Sequence, residues 1–133
     1  MRYLLDTNVC IEILRGRNPK LKTRLATRSI EELALCSIVW AELHCGARLA
    51  QSPLQELVRL QEAFGHWVRW PFDDTAAERY GEIRAHLQRA GNLIGGNDLL
   101  IVAIAQAQGL TLITHNTAEF TRVPGLSVED WQV

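Results

Sequence analysis

The chain has 133 residues, 47% of them hydrophobic and 22% charged, and carries a net charge of −1. These values suit a single globular domain over 1–133, long enough to bury a core. They exclude a membrane-spanning chain, because no apolar run approaches a bilayer's thickness, and Asp6 comes too early for a signal peptide, so the expected compartment is the cytoplasm.

Arg2–Leu5 is short, apolar and followed by Asp6-Thr7-Asn8. This predicts a buried strand, a polar corner and a helix through Val9, Ile11 and Leu14 capped by Thr7 or Asn8. Gly16-Arg17-Asn18-Pro19 ends that helix, and a basic helix follows as far as Arg28. Leu33–Cys36 reads as a second buried strand, with Ser37 opening a helix that carries Glu42. Val39, Leu43, Gly46 and Ala50 form a stripe at steps of three and four, and Glu42 lies on it. Its carboxylate then points partly inward and needs a partner.

Ser52-Pro53-Leu54-Gln55 has a capping-box pattern with proline at the first helical position. Leu54, Leu57, Val58 and Phe64 supply that helix's apolar face. Trp67–Phe72 is a third strand, kept short by Pro71. Thr75-Ala76-Ala77-Glu78 reads as another capping box, and Gly91 stops the helix it opens. Leu99–Ala107 is apolar almost throughout, which predicts a helix in the middle of the domain, with Asn97 as its N-cap and Asp98 in its first turn. Leu110–Ile113 is a strand closed by Thr114-His115-Asn116, and a last short strand lies around Leu126–Val128. No repeat, linker or low-complexity segment interrupts the chain.

Strands alternating with helices imply an α/β fold: a central parallel sheet of four to five strands with helices on both faces. Ligands of such sheets sit outside the carboxyl ends of the strands. Asp6 and Asn116 follow strands there, and Glu42 and Asp98 open helices on the same side. Four polar groups from distant places thus converge on one rim.

Two carboxylates about 4 Å apart repel by roughly 4 kcal/mol at an effective dielectric of 20. Three together need a proton or a cation, and oxygen ligands select Mg²⁺ or Mn²⁺ over zinc. Such a site suits metal-assisted phosphodiester hydrolysis. Other aspartate enzymes of sheet rims fit poorly. A haloacid dehalogenase-type phosphatase needs a second Asp where Asn8 stands, and a receiver domain needs a late Lys, absent after Lys22. Neither a P-loop nor a dinucleotide fingerprint is present. His44, His66, His86 and His115 leave open metal-free RNA cleavage by general acid–base chemistry.

Cys10, Cys36 and Cys45 are an odd count without a Cys-x-x-Cys pair, which argues against a disulfide framework and suits core or near-core residues. Arg15, Arg17, Lys20, Lys22, Arg24 and Arg28 fall in an acid-free window. By itself this is a solvated helical face.

The ordered set of motifs resembles the PIN-domain ribonucleases, specifically the VapC-type toxins of bacterial type II toxin–antitoxin pairs. The resemblance runs nearly end to end. It is carried by Leu4-Leu5-Asp6-Thr7-Asn8, by Ala41-Glu42-Leu43 with Gly46-Ala47, and by Ile94-Gly95 with Asn97-Asp98-Leu99-Leu100-Ile101. Thr111-Leu112-Ile113-Thr114-His115-Asn116, Phe120, Val123-Pro124-Gly125-Leu126 and Glu129-Asp130-Trp131 complete it. Gly96 replaces a proline common before the Asn-Asp pair.

The resemblance implies a PIN-like three-layer sandwich and a metal-dependent endoribonuclease acting on RNA, most often tRNA, and so inhibiting translation. By it Asp6, Glu42 and Asp98 match the acidic metal site for Mg²⁺, with Mn²⁺ as substitute. Asn116 matches a fourth position that is often Asp, and Glu119 stands near enough to substitute. Thr7, Asn8, Thr114 and Asn116 would position the acids by hydrogen bonds. The resemblance also implies a homodimer silenced by a cognate VapB-type antitoxin. It turns the Arg15–Arg28 window into a phosphate-binding surface. The alternative is a PIN module that binds RNA or protein without cutting.

Overall fold

The computed structural model describes residues 2–133. Five strands form one sheet: β1 (Tyr3–Leu5), β2 (Leu33–Cys36), β3 (Val68–Trp70), β4 (Thr111–Ile113) and β5 (Val128–Glu129). Between them run α1 (Thr7–Arg15), α2 (Pro19–Ala26), α3 (Ser37–Arg48), α4 (Pro53–Phe64), α5 (Asp74–Arg89), α6 (Gly96–Ala107) and α7 (Thr117–Phe120), with a 3₁₀ turn at Ile30–Glu32. The strand order is β3-β2-β1-β4-β5, and every pairing is parallel. The expected α/β architecture is the one observed.

Strand order reverses direction beside β1. The chain first moves outward through β2 to β3, then crosses back to β4 and β5. Right-handed crossovers therefore lay α1–α4 on one face and α5–α7 on the other. The crevice between β1 and β4 is the switch point, where such sheets open toward ligands. Register places Leu5 opposite Ile113, so the residues after each strand emerge together.

The core follows from the apolar runs. Leu4, Leu5, Ala34, Leu35, Leu112 and Ile113 are fully buried, as strands covered on both faces must be. In α6, Leu99 and Ile101–Ala105 are buried, so it is the greasy central helix that its sequence predicts. Gly16 lets α1 stop. At φ 66° it takes the left-handed conformation and returns its N–H to the Glu12 carbonyl at 3.0 Å.

Several boundaries and caps differ from expectation. Asp6, not Thr7 or Asn8, caps α1, its side chain accepting from the Val9 N–H at 3.0 Å. Asp73 caps α5 in place of Thr75, because its carboxylate reaches the Ala76 N–H at 2.9 Å. Ser52 precedes α4 without a side-chain cap bond. Gly95 stands at the N-cap of α6, two residues before Asn97, and the Asn97 amide is free for another partner. The last strand is shifted to Val128–Glu129. The buried stripe of α3 is Val39, Leu43 and Ala47, so Gly46 faces outward. Cys10 and Cys36 are buried as expected, whereas Cys45 lies off that stripe and is exposed.

The C-terminal tail is clasped by α2. Trp131 is buried and meets Tyr3 edge to face, with ring centroids 4.9 Å apart. The Arg28 guanidinium lies 4.9 Å from the Tyr3 centroid and 5.6 Å from that of Trp131. Arg24 donates to the Asp130 carbonyl at 2.7 Å and to that of Val133 at 3.2 Å, and the Asn18 amide donates to that of Gln132. Truncating Trp131 to Ala should cost about 3–5 kcal/mol, measured as a lower urea midpoint. A change under about 1 kcal/mol would mean that the tail docks without contributing to the core.

Candidate metal centre

Asp6 leaves β1 as its chain turns into α1, and only 7% of its surface is exposed. Its carboxylate accepts the Val9 N–H and the Thr114 hydroxyl. Burial pushes its pKa up, those hydrogen bonds pull it down, and the Glu42 charge pushes it up again. Thr114, fully buried after β4, also accepts the Asn116 N–H at 3.1 Å. One hydroxyl therefore ties the ends of β1 and β4 together.

Glu42 reaches the same crevice from α3. Its Oε1 accepts from the Thr7 hydroxyl at 2.6 Å, and its Oε2 from the Asn97 amide at 3.3 Å. These are the partners that an inward carboxylate requires. They are neutral, so they orient it without cancelling its charge.

Asp98 stands in the first turn of α6 and is half-buried. Its pKa is pushed up to about 7, first by burial, then by the hydrogen bond and charge of Glu119, then by Asp6 and Glu42. Glu119 on α7 also accepts the Gly95 N–H at 3.2 Å and the Asn116 amide. Glu119 is thus the fourth acid of the cluster. Asn116, matched to that position in the sequence, instead holds Glu119 in place. The readable signal was the three-residue spacing, one turn of α7, which sets the two side chains side by side.

Asp6, Glu42, Asp98 and Glu119 therefore share one electrostatic neighbourhood, and none of them is paired with a Lys, Arg or His among the described residues. No three described His, Cys, Asp or Glu side chains already close into a ligand shell. The donor set nevertheless fits a hard divalent cation. All its ligating atoms are oxygens, and the carboxylates burden one another in a way that bound positive charge would relieve.

The remaining residues divide. Asn8 is exposed and turns its backbone N–H toward Asp6. Arg15 lines the cleft beside Asp6, and Arg15 and Arg17 both reach Glu12, at 3.3 and 3.2 Å. Lys22 lies alongside Gly16, and Lys20 lines a groove with Arg24 and Val133. Arg24 and Arg28 are turned to the tail. The basic window is thus not one continuous surface.

In the metal-free folded protein Asp98 keeps its proton until about pH 7, whereas the unfolded chain releases it near the ordinary 3.8. Rising pH therefore favours unfolding progressively from about 4 to about 7, and the penalty is constant above that. Urea denaturation in chelator at about pH 5 and about pH 7.5 should show Asp98→Asn losing less stability than wild type. Equal losses would mean that Asp98 titrates as an ordinary surface acid.

Comparison with known proteins agrees with this geometry. The PIN domain family matches residues 3–126. Ribonuclease VapC2 of Haemophilus influenzae is 31% identical over 131 residues, 98% of each chain. The tRNA(fMet)-specific endonuclease VapC of Shigella flexneri is 33% identical over the same share of both. Among solved structures, VapBC2 from Rickettsia felis bound to a DNA fragment from their promoter superposes with a TM-score of 0.91 at 33% identity, covering 98% of this chain and 99% of that one. An end-to-end match in sequence and fold, with acids converging at the sheet's switch point, places this chain in the PIN domain family, as a ribonuclease of the VapC type.

Proposed function

We propose that the chain is a Mg²⁺-dependent endoribonuclease that hydrolyses tRNA, with Mn²⁺ able to substitute. The observation that carries this reading is the gathering of four carboxylates at the switch point, none of them paired with a Lys, Arg or His among the described residues. Asp6 and Asp98 would be the principal ligands, with Glu42 and Glu119 completing the oxygen set. When bound, the cation supplies charge stabilisation at the scissile phosphate and a more acidic water.

The protein's part is positioning. Thr7 and Asn97 aim Glu42, Thr114 aims Asp6, and Gly95 and Asn116 aim Glu119. Arg15, at the edge of the cleft, offers its guanidinium to a phosphate of the strand. The specificity named for the Shigella flexneri relative supports tRNA as the substrate. The family's pairing with a VapB-type antitoxin supports such a partner here. An apolar groove beside Glu42, walled by Ile11, Leu14, Leu43, Ala47 and Leu60, offers it a seat.

Incubated with tRNA and Mg²⁺, the free protein should leave 5′-phosphate and 3′-hydroxyl ends, and chelator should abolish cutting. Asp6→Asn should also abolish it while keeping the fold, since Asn caps a helix as well as Asp does. Cyclic 2′,3′-phosphate ends, or full activity in chelator, would overturn the metal mechanism. RNA binding without any cleavage would leave a binding module.

Charge reversal at Arg15 and Arg17 should weaken RNA binding and flatten its salt dependence, by a slope of about 0.7 per lost contact. Reversal at Arg24 and Arg28 should instead lower the unfolding midpoint, because those side chains hold the tail. An unchanged salt slope in the first pair would remove that edge from the RNA path.

A further inference from the structure

Beside Asp6 opens a cleft of about 370 Å³, within the range of small-ligand sites, about 300–1,000 Å³. Its walls are α1, the loop after β4, and Gln132 of the tail. The metal centre accounts for Asp6 and Thr114 and leaves His115 and Gln132 without a task.

Both carry the marks of a presented group. The His115 Nδ1 lies 2.9 Å from the Asp130 Oδ2, while the ring itself stays largely exposed. Asp130 is held in turn, its Oδ1 by the Gln132 N–H at 2.8 Å and its carbonyl by Arg24. A carboxylate accepts, so Nδ1 carries the proton and the opposite ring edge, with Nε2, is left for a ligand. Independently, the Gln132 Oε1 is buried without a hydrogen-bond partner. Gln132 also lines the cleft, so its side chain brings there a hydrogen-bonding capacity that the described residues do not use.

Charge decides what fits. Asp6 and Glu12 both line the cleft, and Arg15, which faces Glu12 at 3.3 Å, stands at its edge for one backbone phosphate of the strand. A second phosphate would meet two carboxylates. A neutral group rich in donors and acceptors meets an imidazole and amides. Unpaired RNA bases are recognised in that way, by stacking on aromatic rings that include His and by hydrogen bonds along their edges.

We propose that this cleft is a nucleotide subsite, holding one unpaired nucleotide of the RNA next to the scissile phosphate, with His115 and Gln132 reading its base. The proposal rests on the ribonuclease reading for its strand and concerns recognition alone.

Two measurements test it. In the first, the metal-free protein is titrated with each of the four ribonucleoside 5′-monophosphates while the His115 ring resonances are followed by NMR. One base should shift them more than the others. In the second, cut sites in a randomised RNA are sequenced for wild type, His115→Ala and Gln132→Ala. The wild type should prefer that base at one position adjoining the cut. Either variant should lose about five- to tenfold of that preference, the worth of a hydrogen bond, and keep its preferences elsewhere. A uniform fall at every position, or an unchanged profile, would overturn the proposal. Shifts at His115 with an unchanged profile would also overturn it, by showing a site for free nucleotides only. If the wild type cuts no RNA, the ribonuclease reading fails by itself. The titration then decides alone, and absence of base-dependent shifts at His115 overturns the subsite.

Discussion

The burial of one carboxylate at the end of the central strand sets the terms for the rest of the site. Asp6 is almost inaccessible, yet it follows a strand covered on both faces, where an unsatisfied acid would cost several kcal/mol. It is satisfied by capping α1 and by the Thr114 hydroxyl at the end of β4. The same two bonds fix the direction in which α1 departs and the spacing of β1 and β4 at their ligand-facing ends. Helix entry, strand closure and the aim of the Asp6 carboxylate are therefore one arrangement. Altering any partner disturbs all three.

A second regularity is the neutrality of the groups that hold the other acids. Glu42 is met by a hydroxyl and an amide, and Glu119 by a backbone N–H and an amide. An arginine or lysine in these places would stabilise the apo protein better and would cancel the field that attracts a cation. Neutral donors orient a carboxylate while leaving its charge in place. Burial first, and then the uncancelled charge of Glu119, Asp6 and Glu42, raise the pKa of Asp98. Stability is given up where unbalanced negative charge is gathered, a trade common at functional sites.

The basic residues show the opposite tendency. Arg24 and Arg28 are placed over aromatic rings and carbonyls of the tail, where a guanidinium contributes through stacking and several directed hydrogen bonds. That clasp holds Trp131 in the core, presents Gln132 at the cleft and sets Asp130 against His115. The helix that looks from its composition like a nucleic-acid surface thus works partly as a fastener. Only its N-terminal neighbours, Arg15 and Arg17, remain toward the acids.

Much of this protein was legible from residue order. The apolar runs of Leu33–Cys36 and Leu110–Ile113, and the nearly unbroken apolar stretch of α6, specify buried parallel strands and a buried helix, because periodicity and burial are set by neighbours along the chain. Alternation of such segments implied the α/β sheet, and the sheet implied a rim on which Asp6, Glu42 and Asp98 would meet. Other features were decided only when the sheet assembled. Thr7 finds Glu42 across 35 positions, Asn97 finds it across 55, and Gly95 finds Glu119 across 24. Glu119 joined the acids, and Arg24 and Arg28 turned to the tail, for the same reason. A side chain's local pattern states whether it is buried or exposed. The donor that it meets depends on which strands lie side by side, and that order, β3-β2-β1-β4-β5, is a property of the packed sheet rather than of any segment within it.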